Sequence, residues 1–301
     1  MAQTVTSARH PGGASNFVAR GKHMDLYGRP VLMGVLNATP DSFSDAGLYR
    51  TVSARVDRGL DLIADGADII DIGGESAVTN RPAVAVDDEI SRVVPVIEGL
   101  LTRAEVVVSV DTYKPAVASA AIAAGASIVN DISGLAAPEL ADICAVTGAA
   151  LVVMHNRGVP KQRLVDPDLY IDVVEDVLGF LREQTELAER HGVSRQSLIV
   201  DPGPDFSKTP AQTIEVLRNV ESLSTLGFPV LLPISRKDFI GALLGKPPRE
   251  RLAGTLAALD HGLSSGVRIF RVHDVAEAKE FLDTRLALAG RFRSPLTKSE
   301  R

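Results

Sequence analysis

The chain has 301 residues, of which 45% are hydrophobic and 23% charged, a composition typical of a globular protein. Its net charge of −6 at pH 7 argues against a general nucleic-acid-binding protein, since such proteins carry a basic excess. The single cysteine, Cys144, excludes an internal disulfide and a cysteine-rich metal site, and its apolar surroundings favour a buried structural role.

The two ends of the sequence lack the patterns of membrane or secreted proteins. No stretch approaches the roughly 18 uninterrupted apolar residues of a membrane span. Residues 1–24 contain Arg, Pro and Gly without the apolar segment of a signal peptide. We therefore expect a cytoplasmic protein with a mobile leader over residues 1–24, one folded unit over residues 25–293 and a frayed tail over residues 294–301.

Short apolar runs alternate with longer amphipathic stretches along the folded unit. Most runs are rich in β-branched residues and bounded by Gly, Asp or Asn, which is typical of buried parallel strands. The predicted strands are Val31–Leu36, Ile69–Ile72, Val106–Val110, Ser127–Val129, Ala150–Met154, Leu198–Val200, Val230–Ile234 and Ile269–Val272.

The stretches between the strands have helical spacing. The predicted buried faces of the first two are Ala54, Leu60, Ile63 and Ala64, and Val93, Val96, Ile97 and Leu100. Thr209 is predicted to cap a later helix that begins at Pro210. A strand–helix unit repeated about eight times without a break in composition favours a single (β/α)₈ TIM barrel, and a doubly wound open sheet is the alternative that the pattern leaves open.

Polar residues follow the predicted strands. In a barrel the carboxyl ends of the strands meet at one mouth, so these side chains are expected to surround one pocket that suits a flat heterocycle with ring N–H groups and a carbonyl. A solvated surface explains any one of them equally well, but not the whole set. They are Asn37, residues 73–76, Asp111, Asn130, Asp131, His155, Asp201, Ser235, Arg236, Lys237, His273 and Asp274.

At these strand ends the sequence resembles the dihydropteroate synthase family. The longest matching segments are MGVLNATPDSFSD at residues 33–45 and GADIIDIGGES at residues 66–76. Shorter matches follow in the family's order: SVDT at 109–112, ND at 130–131, MH at 154–155, DPG at 201–203, SRK at 235–237, RLAGT at 251–255 and RVHDV at 271–275.

That resemblance implies a role for each matching residue. The pterin ring is expected to be held by Asp111, Asn130, Asp201 and Lys237, with Met154 and Phe206 packed beside it and Ser235 in the same pocket. The substrate's diphosphate is expected to meet Asn37, Arg271 and His273, and Asn37 helps to hold Mg²⁺. The candidate catalytic residues are Lys237, Arg271 and His273.

The implied reaction matches these residue types. In the family, 6-hydroxymethyl-7,8-dihydropterin diphosphate loses diphosphate, and the amine of p-aminobenzoate attacks the resulting cationic methylene to give dihydropteroate. Arginine, histidine and Mg²⁺ neutralise a leaving diphosphate, and a buried carboxylate favours a ring that donates hydrogen bonds. The resemblance alone also implies a homodimer.

Three of these candidates also have plain structural explanations. His273 fits an ordinary loop histidine, although its position directly after the last strand favours the functional interpretation. Asp111 and Asp201 fit caps of the helices that follow them, and capping does not exclude ligand binding.

Four departures from the family's pattern concern the second substrate. Ala77, Val78, Thr79 and Asn80 replace the family's Thr-Arg-Pro-Gly, and Pro204 and Asp205 replace an Ile or Leu and a glycine. Pro233 replaces a glycine, and Asp238 replaces a Ser or Arg near the aminobenzoate carboxylate. Asp238 is expected to repel that carboxylate by about 1 kcal/mol or more where water is partly excluded.

The sequence leaves three functions open. The first is a transferase of the dihydropteroate synthase type, favoured by the intact Lys237, Arg271 and His273. The second is a paralogue with little or no synthase activity that binds a pterin, uses another acceptor or serves as an assembly partner, favoured by Asp238 and Pro233. The third is a pterin-binding methyltransferase, against which the SRK and RVHD segments weigh.

Overall fold

The computed structural model describes residues 14–39, 51–76 and 82–290. Its strands are β1 (Asn16–Ala19), β2 (Lys22–Asp25), β3 (Val31–Asn37), β4 (Ile69–Gly73), β5 (Val107–Asp111), β6 (Ile128–Asp131), β7 (Ala150–Met154), β8 (Leu198–Asp201), β9 (Leu231–Leu232) and β10 (Ile269–Val272). Its α-helices are α1 (Val52–Ala64), α2 (Val86–Arg103), α3 (Pro115–Ala123), α4 (Glu139–Thr147), α5 (Val173–Arg190), α6 (Pro210–Arg218), α7 (Asp238–Leu244), α8 (Leu252–Ser264) and α9 (Val275–Leu288).

Strands β3 to β10 form one parallel sheet that closes into a barrel. The strand order is β8-β7-β6-β5-β4-β3-β10-β9, so each strand lies beside its neighbours in sequence. The remaining edge is closed by a parallel bridge between Val200 of β8 and Val230, next to β9. Helices lie between successive strands, as the right-handed parallel crossover requires. The predicted TIM barrel is confirmed, and the open-sheet alternative is wrong.

All eight predicted barrel strands are present, with shifts of one or two residues at their ends. Four of them, β3, β5, β6 and β8, extend into the polar residues that follow the apolar run. The strand predicted at Val230–Ile234 is reduced to Leu231–Leu232. It lies between two prolines, Pro229 and Pro233, which have no N–H group to donate to a sheet.

The first hairpin differs from the expected mobile leader. Strands β1 and β2 pair antiparallel, and Phe17 and Ala19 are fully buried. They pack in an apolar cluster with residues at the starts of the barrel strands, among them Ile69 and Ile269. Residues 16–24 thus close the amino-terminal end of the barrel because they bury apolar side chains there. The rest of the expected leader, residues 1–13, and the tail over residues 294–301 lie outside the described residues.

Three further expectations concern a helix cap, the cysteine and membrane spans. Thr209 caps α6 as predicted: its side chain accepts from Gln212 N at 3.2 Å, and Gln212 Oε1 accepts from Thr209 N at 2.8 Å. Cys144 is buried in the core, and burial raises the pKa of its thiol to about 12. Within the described ranges, no helix combines the length and apolar character needed to cross a membrane.

Candidate active site

The carboxyl ends of neighbouring strands bring the predicted pterin-binding residues together. In the sheet register, Asp111 of β5 lies beside Asn130 of β6, and Met154 of β7 lies beside Asp201 of β8. Asn37, the last residue of β3, lies opposite Gly73 on the same edge. The parallel barrel therefore places these side chains around one mouth.

Arg271 connects the strands across this mouth. Its Nε donates to Asp71 Oδ2 at 2.6 Å, and its Nη2 donates to Asp111 Oδ2 at 2.7 Å. Asn130 donates to the same oxygen of Asp71 at 3.1 Å. Asp71 is fully buried, and its other oxygen has no hydrogen-bond partner among the residues that the structure describes. The result is a charged network with a spare buried acceptor.

The ionisation of Asp111 reflects this crowded environment. Burial, with a smaller contribution from the neighbouring Asp71, raises the pKa of Asp111 to about 7 against the opposing charge of Arg271. A carboxyl group with such a pKa changes its charge near neutral pH. Asp111 therefore depends on Arg271, or on a cationic or hydrogen-bond-donating ligand, to stay ionised.

Asp201 is held at the end of β8 by its own loop. Its Oδ1 accepts from Gly203 N at 2.7 Å, and burial raises the pKa of Asp201 to about 6. Gly203 has φ of +62°, and a Cβ on it would lie 2.1 Å from the carbonyl oxygen of His155. Only glycine fits this turn.

Lys237 and Phe206 form the opposite wall. Lys237 Nζ donates to the carbonyl oxygen of Pro204 at 2.9 Å and lies 4.7 Å from the centroid of the Phe206 ring. Burial lowers the pKa of Lys237, while Asp205 and Asp201 oppose the change. Lys237 is thus a buried donor with an aromatic face beside it.

His273 lies against Ser235. His273 Nδ1 and Ser235 Oγ are 3.0 Å apart, and the backbone N of His273 donates to the same oxygen at 3.2 Å. Burial and the cations Arg271, Arg236 and Lys237 lower the pKa of His273 to about 3. His273 is therefore neutral near pH 7, so it contributes hydrogen bonds rather than a positive charge.

The departures at Asp205 and Asp238 meet at the start of α7. Asp205 Oδ2 accepts from Asp238 N at 2.6 Å. Asp238 Oδ1 lies 3.1 Å from Arg251 Nη1, and 72% of the Asp238 side chain is exposed. Two carboxylates and one arginine therefore line this side of the mouth. The departures at Ala77, Val78, Thr79 and Asn80 lie outside the described residues.

Some strand-end residues do not join the pocket. Asp131 accepts from Ser133 and Leu135 of its own loop, and Asp274 pairs with Arg236. His155 is fully buried and binds Asp176 of α5. These residues support the loops around the mouth rather than lining it.

The sequence analysis did not identify Asp71 as a site residue, and one of its structural explanations is wrong. Asp71 lies inside an apolar strand, and a carboxylate in a buried strand was an available signal. The capping explanation for Asp111 and Asp201 is wrong, since Lys114 and Thr209 stand at the N-caps of the helices that follow them. No group of three or more His, Cys, Asp or Glu side chains suited to a metal occurs within residues 14–39, 51–76 and 82–290.

The chain is similar over most of its length to proteins of known activity. A family model described as pterin binding enzyme matches residues 33–273. The dihydropteroate synthase of Bacillus subtilis (strain 168) is 44% identical over 250 residues, 83% of this chain and 85% of that protein. A structure of Xanthomonas albilineans dihydropteroate synthase with 4-aminobenzoic acid has a TM-score of 0.84 and 41% identity, covering 91% of this chain and 98% of that one. The Xanthomonas albilineans enzyme in complex with 7,8-dihydropteroate has a TM-score of 0.81 and 40% identity, covering 91% and 98%.

Proposed function

Because the chain belongs to the pterin-binding enzyme family, we propose that it is a transferase that condenses 6-hydroxymethyl-7,8-dihydropterin diphosphate with p-aminobenzoate. The observation that carries this proposal is the network of Arg271 with Asp71, Asp111 and Asn130 at the barrel mouth. The similarity to dihydropteroate synthases over the same barrel supports it.

The ring of the pterin is proposed to bind between the two walls of the mouth. Asp201, ionised above pH about 6, accepts from ring N–H and amino groups, and Asn130 offers both a donor and an acceptor. Lys237 donates to the ring carbonyl or a ring nitrogen. Phe206 and the buried Met154 supply apolar contacts for the flat ring.

The diphosphate is proposed to meet Arg271, His273 and Asn37. Arg271 binds Asp71 and Asp111 through Nε and Nη2, and the remaining N–H groups of its guanidinium suit phosphate oxygens. Neutral His273 adds a hydrogen bond. Asn37 fits a Mg²⁺ site of the kind that Mg²⁺ forms with substrate, since this ion keeps several waters and takes few protein ligands besides phosphate oxygens. Mg²⁺ bound there would neutralise charge that develops on the leaving diphosphate.

The reaction then requires one bond to break and one to form. The bond between the pterin methylene carbon and the diphosphate oxygen breaks, and the electron pair leaves with the oxygen. The amine nitrogen bonds to that carbon and afterwards loses a proton. Asp201, a buried carboxylate against the ring, stabilises the positive charge that the pterin carries between these events.

A second candidate function is a pterin-binding paralogue with a different acceptor or little synthase activity. The observation that favours it is the pair of carboxylates, Asp205 and Asp238, at the start of α7. These groups disfavour an acceptor that carries a carboxylate. Arg251 offsets part of that repulsion because it pairs with Asp238.

We propose further that the enzyme works in the cytoplasm as a homodimer. A single buried cysteine is compatible with a reducing compartment. Leu243 and Leu244 at the end of α7 and Leu288 at the end of α9 are exposed apolar residues available for a contact between copies. Light scattering of the purified chain distinguishes a dimer from a monomer.

The test of the proposed function is a calorimetric titration with dihydropterin diphosphate and Mg²⁺, followed by p-aminobenzoate and a product assay. Binding followed by formation of dihydropteroate supports the synthase. Binding without product favours the second candidate function. The absence of pterin binding would contradict both.

A further inference from the structure

Lys208 is a buried lysine that the pterin site described above does not use. It follows the loop over residues 203–206 and is 2% exposed. Its Nζ lies 2.7 Å from His155 Nδ1, 3.0 Å from the carbonyl oxygen of Gly203 and 3.1 Å from that of Phe206. Burial lowers the pKa of Lys208 to about 7, while the charge of Asp201 opposes the change. In its protonated form the side chain has three N–H donors, and these three acceptors satisfy all of them.

The orientation of His155 follows from this contact. Because Nδ1 accepts from the Lys208 ammonium, the ring proton lies on Nε2, which donates to Asp176 Oδ1 at 2.9 Å. Asp176, on α5, is held in turn by two bonds of 2.9 Å from Arg157. Burial and the charge of Lys208 lower the pKa of His155 to about 3, in agreement with a neutral ring. The chain of contacts therefore runs from α5 to the loop.

The loop held by Lys208 carries one wall of the pterin site. Its Pro204 carbonyl accepts from Lys237, and its Phe206 ring faces Lys237 Nζ. Asp205 and Ser207 have φ of 67° and 51°, a left-handed conformation that costs non-glycine residues about 1 kcal/mol or more. A loop with two such residues needs contacts that fix it, and two of its carbonyls bind one ammonium.

We propose that Lys208 is a positioning residue of the pterin site. Oriented by His155 and Asp176, its ammonium holds residues 203–206 in the conformation that places Phe206 and Lys237 against the ring. Lys208 does not touch the substrate, and it acts through the loop. The statement about pterin affinity rests on the proposed function, whereas the tethering of the loop does not.

The test compares three variants with the parent protein. Lys208→Met removes the ammonium at similar volume, and His155→Leu removes its acceptor while leaving the lysine. Lys279→Met is the matched control, since Lys279 is a lysine paired with Asp283 on α9, outside the contacts that link α5 to the loop. For each we would measure the Kd of dihydropterin diphosphate, the KM of p-aminobenzoate and amide hydrogen exchange in peptides over residues 201–209.

Lys208→Met is expected to raise the pterin Kd about tenfold or more, since it removes charge-assisted hydrogen bonds. Exchange of the loop amides becomes faster, and the KM of p-aminobenzoate stays within about twofold of the parent. His155→Leu is expected to raise the pterin Kd and to speed the exchange of the loop amides as well. It provides the test if Lys208→Met does not fold. Lys279→Met leaves pterin binding and loop exchange unchanged.

Unchanged loop exchange in both Lys208→Met and His155→Leu would overturn the tether. Faster exchange with an unchanged pterin Kd would overturn the positioning role. A merely structural lysine would lower the melting temperature and shift both substrates alike. If the parent itself binds no pterin, the proposed function fails, while the exchange data still decide whether Lys208 fixes the loop.

Discussion

At the level of a single residue, the carboxylate of Asp201 lowers the stability of the ligand-free protein at neutral pH, and the same group is proposed to bind the pterin. Burial raises its pKa in the folded state to about 6, above the ordinary value of 3.8 for this group. A carboxyl whose pKa is raised on folding contributes stability below its unfolded pKa, and this contribution is lost as the pH rises through the folded pKa. At neutral pH the ionised group is therefore destabilising, and a ligand that donates hydrogen bonds offsets this.

We predict that Asp201→Asn weakens pterin binding about tenfold or more and raises the stability of the ligand-free protein at pH 7 by about 1–3 kcal/mol. The amide keeps an oxygen that accepts from Gly203 N but loses the charge. Titration calorimetry and urea unfolding measure the two effects. Asp142→Asn, at an exposed carboxylate of α4, is the control that should change neither. Unaltered pterin affinity in Asp201→Asn would place the ring elsewhere.

The pH dependence of pterin binding follows from the same carboxylate. Asp201 accepts two ring donors only when it is ionised, so affinity is expected to fall as the pH decreases through about 6. The probe is 6-hydroxymethyl-7,8-dihydropterin, because it lacks the titrating diphosphate. Its Kd between pH 8 and pH 5 should rise in the parent, and the part of the rise centred near pH 6 should be absent from Asp201→Asn. A flat profile in the parent would count against the role of Asp201.

At the level of elements, the start of α7 carries the two carboxylates that we propose disfavour a carboxylate-bearing acceptor. Asp238 begins the helix, its backbone N–H is occupied by Asp205, and its side chain pairs with Arg251. A carboxylate that approaches this end meets two negative charges and an arginine already engaged. The repulsion is reduced, because most of the Asp238 side chain is exposed and screened by water.

Asp238→Ser is predicted to lower the KM of p-aminobenzoate by about three- to tenfold, since it removes one negative charge and leaves the positive charge of Arg251 without its carboxylate partner. Steady-state kinetics at saturating dihydropterin diphosphate test this. Asp260→Ser, which removes a carboxylate from the outer helix α8, controls for net charge. Equal KM values in the variant and the parent would show that Asp238 does not face the acceptor.

The helices also show where sequence patterns succeed and fail. The face predicted for α2 is correct, since Val93, Val96, Ile97 and Leu100 are all fully buried. The face predicted for α1 is displaced, because Leu60 and Ile63 are only partly buried and Ala64 is exposed. The buried positions are Arg55, Val56, Gly59 and Leu62, and a Cβ on Gly59 would lie 2.6 Å from a Leu100 methyl group. Periodicity counts apolar side chains, so it does not detect a contact that depends on the absence of one.

The site residues divide in the same way. Those at strand ends, such as Asp111 and Asp201, were predictable because the barrel brings every strand end to one mouth. The contacts between site residues and their charged or polar partners were not predictable. Arg271 reaches Asp71 across 200 positions of sequence, and Lys208 reaches His155 across 53. Such contacts depend on side-chain directions that no local pattern records.

At the level of the whole molecule, the barrel separates stability from function. The polar network lies at the carboxyl ends of the strands, whereas the hairpin of β1 and β2 covers the opposite end with Phe17 and Ala19. The arrangement of side chains at the carboxyl ends of the strands determines ligand binding, and packing at the amino-terminal ends stabilises the fold. A change at the hairpin should therefore alter stability without altering the chemistry.

Phe17→Ala provides this test. The side chain is fully buried among residues at the strand starts, so its removal is predicted to lower the free energy of unfolding by about 3–5 kcal/mol. Well below the melting temperature, kcat and both KM values should stay within about twofold, since the altered contacts lie at the far end of the strands. Val146→Ala, at an 88% exposed position, should change stability by less than about 0.5 kcal/mol. Urea unfolding and steady-state kinetics on the same sample measure both effects. A lower kcat in folded Phe17→Ala would mean that packing at the amino-terminal end of the barrel affects the site at its mouth.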